Sequence, residues 1–263
     1  MREAERAALV TGGGRGIGRG IAIGLAQAGW RVAIAARSED QLSETVALAG
    51  DRVMGIPADL AEPSEAGRLA RIVVEKLGPV SLLVNNAAMA GDFGLFWEND
   101  PADWWRCQEL NVRAPMSLCR EILPSMIARR AGRIVNMVSG AGCQAFPDMS
   151  AYVVSKTALI RLSEQLALEA KPYGVCVFPL MPGVVRTAML DGARHRLPFV
   201  QKMLDDGLEV KPDVVARLVL TVASGKLDAL SGRLLSVYYD VDAMLNRTDE
   251  IGANDLYLLR ART

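Results

Sequence analysis

The 263-residue chain is predicted to fold as a single α/β domain, a doubly wound parallel sheet of about seven strands with helices on both faces. Three observations lead there. Short, uninterrupted apolar runs alternate with longer stretches of helical spacing, which is how strands buried on both faces read in sequence. A glycine cluster from Gly12 to Gly18 separates the first run from the first helical stretch. Thr11, Asp59, Asn85, Ser139 and Pro182 each follow an apolar run. Right-handed crossovers would gather them along the carboxyl edge of one sheet, where ligands bind in such folds.

Taken in order, residues 7–11 form the first strand and 17–28 a helix that stops at Gly29. Residues 31–36 are a second strand of small and branched side chains. Ser38 is placed to cap a polar helix running to residue 48. A third strand over 52–56 leads to Asp59 and to a helix from Pro63 to Lys76, which Gly78-Pro79 ends. Residues 82–84 are a buried fourth strand. A polar and aromatic segment, 93–105, precedes a long helix over 111–130, and 133–138 is the fifth strand. The helix holding Tyr152 extends to Lys171, and 175–180 is the sixth strand. Residues 189–210 are amphipathic without strand character and are expected to form a substrate-side lid. A helix over 212–223 and a last strand over 233–238 follow. Residues 239–263 are then a charged, helix-compatible extension.

Lysine plus arginine balances aspartate plus glutamate at 30 each, so no basic excess marks a nucleic-acid protein. A small-molecule partner is expected. The start, MREAERAALVTGGG, holds no apolar stretch long enough for a secretion signal, and no window approaches the ~20 apolar residues of a membrane span. The four cysteines are scattered, and His195 is the single histidine, so zinc-ligand spacing cannot be assembled. Reduced thiols in a cytoplasmic protein are the expectation. One histidine, with no GxSxG around Ser139, also argues against a Ser-His-Asp hydrolase.

Tyr152 and Lys156 stand four residues apart, one turn apart on one helical face. A free tyrosine titrates near ~10 and is a poor acid–base catalyst at neutral pH. An ammonium at ~4 Å, with an effective dielectric of ~20, would favour phenolate by roughly 4 kcal/mol. That predicts a phenol brought down by about three pKa units. The pair would then donate a proton to a carbonyl oxygen or take one from an alcohol, and Ser139, at a strand end, would hold the same oxygen.

The loop Thr11-Gly12-Gly13-Gly14-Arg15-Gly16-Ile17-Gly18 lies between a strand and a helix. Its glycines permit positive φ and let an anion approach the backbone at a helix start. It fits neither GxGxxG nor the phosphate loop ending in Gly-Lys-Ser/Thr. At the end of the second strand no carboxylate stands near Ala36 to hold an adenosine ribose, and Arg37 follows. Arg15 adds a second guanidinium. Two forked cations and no carboxylate suit a 2′-phosphate and hence NADP(H), while Glu39 and Asp40 keep NAD(H) open.

Together these residues resemble the short-chain dehydrogenase/reductase family, with its Rossmann fold, over about residues 7–187. The glycine loop is similar to TGxxxGxG at Thr11, Gly12, Gly16 and Gly18. Asn85-Asn86-Ala87-Ala88 resembles NNAG with alanine in place of glycine, and Pro182-Gly183 with Thr187 resembles PGxxxT. The resemblance implies a catalytic set of Asn111, Ser139, Tyr152 and Lys156. It implies that Lys156 lowers the Tyr152 pKa and holds the nicotinamide ribose, and that Asn111 holds a water leading from Lys156. Cofactor contacts are implied for Gly12, Arg15, Gly16, Ile17, Gly18, Arg37, Asp59, Leu60, Asn86, Ala87, Tyr152, Lys156, Pro182, Gly183, Val185 and Thr187. It further implies hydride transfer between nicotinamide and a carbonyl or secondary alcohol, in a homodimer or homotetramer built through the helices over 111–130 and 151–171. The competing readings are a silent nucleotide-binding regulator on the same fold and a lyase or dehalogenase using a Ser-Tyr pair. The extension after residue 238 departs from the short tail usual in the family.

Overall fold

The computed structural model of the chain describes residues 6–261. Seven parallel strands are arranged in the order β3-β2-β1-β4-β5-β6-β7. They are β1 (Ala7–Thr11), β2 (Arg31–Ala36), β3 (Val53–Pro57), β4 (Leu82–Asn85), β5 (Gly132–Met137), β6 (Val175–Met181) and β7 (Leu235–Ser236). Strand order reverses between β1 and β4, and the crevice beyond the carboxyl ends at that point is where such sheets bind ligands.

Alternate side chains of each strand serve opposite layers. Ala8, Val10, Val32, Ile34, Leu82 and Val84 face one core with α1 (Gly16–Gln27) and α9 (Pro212–Ser224). Leu9, Ala33, Ala35, Leu83 and Ile134 face the other, with α3 (Glu65–Leu77) and α5 (Ala114–Ala128). Both faces being covered explains why the strands read as continuous apolar runs. The helix α2 (Glu39–Ala49) starts as expected, with the Ser38 hydroxyl accepting from the Gln41 amide at 3.3 Å.

Two elements differ from expectation. The long helix begins ten residues earlier than 111, at α4 (Pro101–Gln108), where the Asp100 carboxylate accepts from Ala102 N–H. It continues through a π turn, Glu109–Arg113, into α5. Pro115 has no N–H to give the Asn111 carbonyl four residues back, which favours a widened turn at Asn111. The last strand is only two residues long. Tyr238 leaves the sheet, its hydroxyl accepting from Val184 N–H at 3.0 Å and donating to the Leu208 carbonyl at 2.8 Å. The stretch 189–210 forms two helices, α7 (Ala188–Arg194) and α8 (Pro198–Asp205), and returns through a bond from Val210 N–H to the Val184 carbonyl.

The helix α6 (Ser150–Ala170) carries Tyr152 and Lys156. The C-terminal extension forms α10 (Val241–Leu245) and α11 (Thr248–Ala253) and then crosses α6. There Arg260 pairs with the buried Glu164 at 2.7 Å, Arg161 bonds the same carboxylate, and Leu234 N–H donates to the Tyr257 carbonyl. Among the described residues, no helix is long and apolar enough to cross a membrane.

Candidate active site

A cleft of about 610 Å³ opens beyond the carboxyl ends of β1, β2 and β4. At its floor the Thr11 hydroxyl accepts from the amides of Asn86 and Ala87 at 2.9 and 3.0 Å. The Asn86 side chain donates back to the Thr11 carbonyl at 2.9 Å. This fastens the loop after β4 to the loop after β1. Gly12 (φ +66°) and Gly16 (φ +54°) take left-handed backbone, so the turn requires glycine there. The first turn of α1 holds no acidic residue and its cap, Arg15, makes no side-chain bond to it. Its amide groups are therefore open to an anion.

Of the residues expected to touch cofactor, Gly12, Arg15, Gly16, Ile17, Arg37, Asp59, Leu60, Asn86, Ala87, Tyr152, Lys156, Pro182 and Thr187 line this cleft. Gly18, Gly183 and Val185 do not. Gly18 stands behind the loop, against the Gly12 carbonyl; Gly183 turns beneath the Tyr238 hydroxyl; Val185 is buried in the core. Their work is to shape the wall. Arg15 and Arg37 are exposed and, among the described residues, bond to no acid. The neighbouring Arg19, by contrast, is spent on Gly14, Thr45 and Glu44. Sequence reasoning missed Ser38, Gln41, Arg186 and Asp191 in the lining, because single polar residues in loops and helix first turns carry no periodic signal.

Tyr152 and Lys156 line one end of the cleft, and Ser139 stands beside Tyr152 without entering the lining. Ser139 Oγ accepts from Ala141 N–H at 3.2 Å and lies close enough to the Tyr152 phenol to favour its ionised form. Lys156 is buried, donates from Nζ to the Met137 carbonyl at 2.9 Å, and stands 5.6 Å from the centre of the Tyr152 ring. The expected lowering of the phenol is corrected here. Burial pushes Tyr152 above the ordinary tyrosine value, and Ser139 pulls only part of the way back. The phenol is held protonated, which suits a proton donor.

Asn111 is fully buried within the π turn. Its Oδ1 accepts from Met89 N–H at 2.9 Å, while Nδ2 donates to the Met89 carbonyl and to Ser155 Oγ at 2.8 and 3.0 Å. Ser155, another residue the sequence did not single out, donates to the Tyr152 carbonyl at 2.7 Å. The amide thus ties the loop after β4 to α6.

Burial pulls Lys156 down to about 8, against 10.5 for a free lysine. The unfolded chain keeps this proton over a pH range where the folded chain has released it, so this group makes stability rise with pH between those values. Relative to Lys156→Met, wild-type protein is expected to gain about 2 kcal/mol between about pH 7 and about pH 9.5. Urea denaturation of both proteins across that range checks the sign; a difference that does not move with pH would remove the buried ammonium.

On the substrate side, Phe146 and Phe199 stack with centroids 5.0 Å apart, joining α8 to the loop after β5. With Phe93, Met149 and Leu190 they pack against Tyr152 and form an apolar wall. His195 lies exposed at the end of α7, outside this wall.

Residues 6–197 match the family model described as short chain dehydrogenase. The chain is 32% identical to a short chain dehydrogenase of Pseudocercospora fijiensis, over 97% of this chain and 88% of that protein. It is 37% identical to nodulation protein G of Rhizobium meliloti, over 73% of this chain and 78% of that protein. Among solved structures, an actinorhodin polyketide ketoreductase variant with NADPH has a TM-score of 0.82 at 30% identity, covering 89% of this chain and 96% of that one. NAD+-bound xylitol dehydrogenase has the same score at 25% identity, covering 90% and 98%.

Proposed function

Since the chain belongs to the short-chain dehydrogenase family, we propose that it is an NADP(H)-dependent oxidoreductase acting on a carbonyl or secondary alcohol. The observation that carries this reading is Tyr152 and Lys156 at the end of a cleft with the right cradle for a dinucleotide, with Ser139 beside the phenol. The glycines that keep the loop low, the uncapped start of α1, and Arg15 and Arg37, which bond to no acid among the described residues, all fit a phosphorylated cofactor.

When bound, the nicotinamide supplies or accepts the hydride at the substrate carbon. Ser139 and Tyr152 hydrogen-bond the substrate oxygen, and the protonated phenol gives its proton as negative charge grows there. Lys156, fixed by Met137, supports the phenolate that remains and reaches the cofactor ribose. The apolar wall of Phe93, Phe146, Leu190 and Phe199 sheds water from the reacting carbon. Solved neighbours carry either NAD+ or NADPH, so the choice of NADP(H) rests on Arg15 and Arg37. A homodimer or homotetramer is part of the proposal, supported by exposed Met116 on α5 and Val154 and Leu168 on α6.

The test is oxidation of NADPH and of NADH against ketones, diketones, quinones, 3-oxoacyl thioesters and sugars. Turnover with NADPH preferred is expected. Cofactor binding with no turnover on any of these would favour the silent regulator, and absence of cofactor binding would sink the reading. In the same assay Arg37→Asp is expected to move the NADPH/NADH ratio of kcat/KM toward NADH by about tenfold or more, since one phosphate contact becomes a repulsion. An unchanged ratio would withdraw the 2′-phosphate from Arg37.

A further inference from the structure

We infer that Arg106 sets the discrimination for a 2′-phosphate indirectly, by neutralising Asp59 at the cofactor cleft; this rests on the NADP(H) reading above. A second hollow of about 290 Å³ shares part of the cleft's wall and is bounded by Arg15, Arg37, Asp59 and Arg106. Three arginines and one carboxylate thus share its lining, and Arg106 is the one that pairs with the carboxylate. Asp59 bears on a phosphate held by Arg15 and Arg37, because a carboxylate nearby raises the cost of bringing a second anion in.

Arg106 answers that charge. Its Nη2 lies 3.4 Å from Asp59 Oδ2, while Asp59 Oδ1 accepts from Ala61 N–H at 3.1 Å. The carboxylate is thereby held in one orientation with its outer oxygen facing a cation. Both side chains are partly exposed, 46% and 33%, so the pair can exert only a modest influence, and salt will weaken it. Arg106 reaches the hollow because α4 is fastened to the catalytic helix. Trp104 Nε1 donates to Ser150 Oγ at 3.1 Å, and Gln108 Nε2 donates to the Ala151 carbonyl at 2.9 Å. Arg106 lies between those two anchors. It is a positioning residue, acting on the phosphate through Asp59.

Calorimetric titration of the full chain with adenosine 2′,5′-bisphosphate and with ADP tests this without turnover. Wild-type protein is expected to prefer the bisphosphate. Arg106→Gln is expected to weaken the bisphosphate by about fivefold and ADP by less than twofold at low salt, with Arg106→Lys restoring most of the loss. In an Asp59→Asn background the same Arg106→Gln change is expected to have almost no effect, because the charge it answers is gone. Equal losses for both ligands, or no loss, would overturn the inference, as would a selective loss that persists in the Asp59→Asn background. Wild-type protein with no preference for the bisphosphate would instead remove the NADP(H) reading on which the inference stands.

Discussion

Tyr152→Phe is expected to lower kcat by about three orders of magnitude while cofactor affinity stays within about threefold of wild type. The substitution keeps the ring, and with it the contacts among Met149, Leu190 and Phe199 and the 5.6 Å approach of the Lys156 ammonium. What it removes is the one hydroxyl that burial keeps protonated beside Ser139. The alkoxide formed by hydride transfer would then have to find its proton in water. Loss of turnover with intact NADPH binding, read by quenching of protein fluorescence, assigns the phenol to chemistry. Parallel loss of both would make Tyr152 a wall residue, and retained turnover would move the proton donor elsewhere.

Gly18→Ala is expected to remove cofactor binding at accessible concentrations and to cost about 3 kcal/mol of stability. A Cβ at this position would lie 2.2 Å from the Gly12 carbonyl oxygen and 2.6 Å from Asn86 Nδ2. Neither neighbour can withdraw. Gly12 is fixed at φ +66°, and Asn86 is held to the Thr11 carbonyl. The helix α1 must move away from the loop, which carries its open amide groups off the site where a pyrophosphate would sit. Gly252→Ala, in α11, is the matched control, since a Cβ there meets nothing within 4 Å. Thermal melts and NADPH titration of the pair decide it: a Gly18→Ala protein that behaves like the control would mean the loop yields cheaply.

Much of this architecture can be read from residues alone because buried parallel strands leave so plain a trace. Residues 31–36 are apolar at every position after Arg31, and the strand found there, Arg31–Ala36, has the predicted bounds. The glycine loop and the spacing of Tyr152 and Lys156 are equally local and equally visible. What could not be read are properties set by distant partners. The strand expected over 233–238 shrinks to Leu235–Ser236 because the Tyr238 hydroxyl is needed between Val184 and Leu208. The helix start at Pro101 was hidden behind an aromatic segment whose tryptophans follow no simple repeat. The direction of the Tyr152 shift was misjudged because a sequence shows the cation four residues away but not the burial of the phenol. Asn111 appears as a lone polar residue, and only the fold reveals that Met89 and Ser155 engage its amide.

The C-terminal segment that crosses α6 bears on how the molecule keeps its own sheet to itself. An outermost strand offers a row of open backbone groups to which another chain can add, and proteins blunt such borders by shortening, covering or charging them. All three devices meet at β7. The strand is two residues long, the amide of Leu234 at its entry is taken by the Tyr257 carbonyl, and Arg233 reaches the Leu256 carbonyl and the Asp255 carboxylate. The bond between Arg260 and the buried Glu164 acts as the clasp on this hem. The segment beyond Tyr238 therefore guards the sheet against growing sideways into a neighbour's sheet.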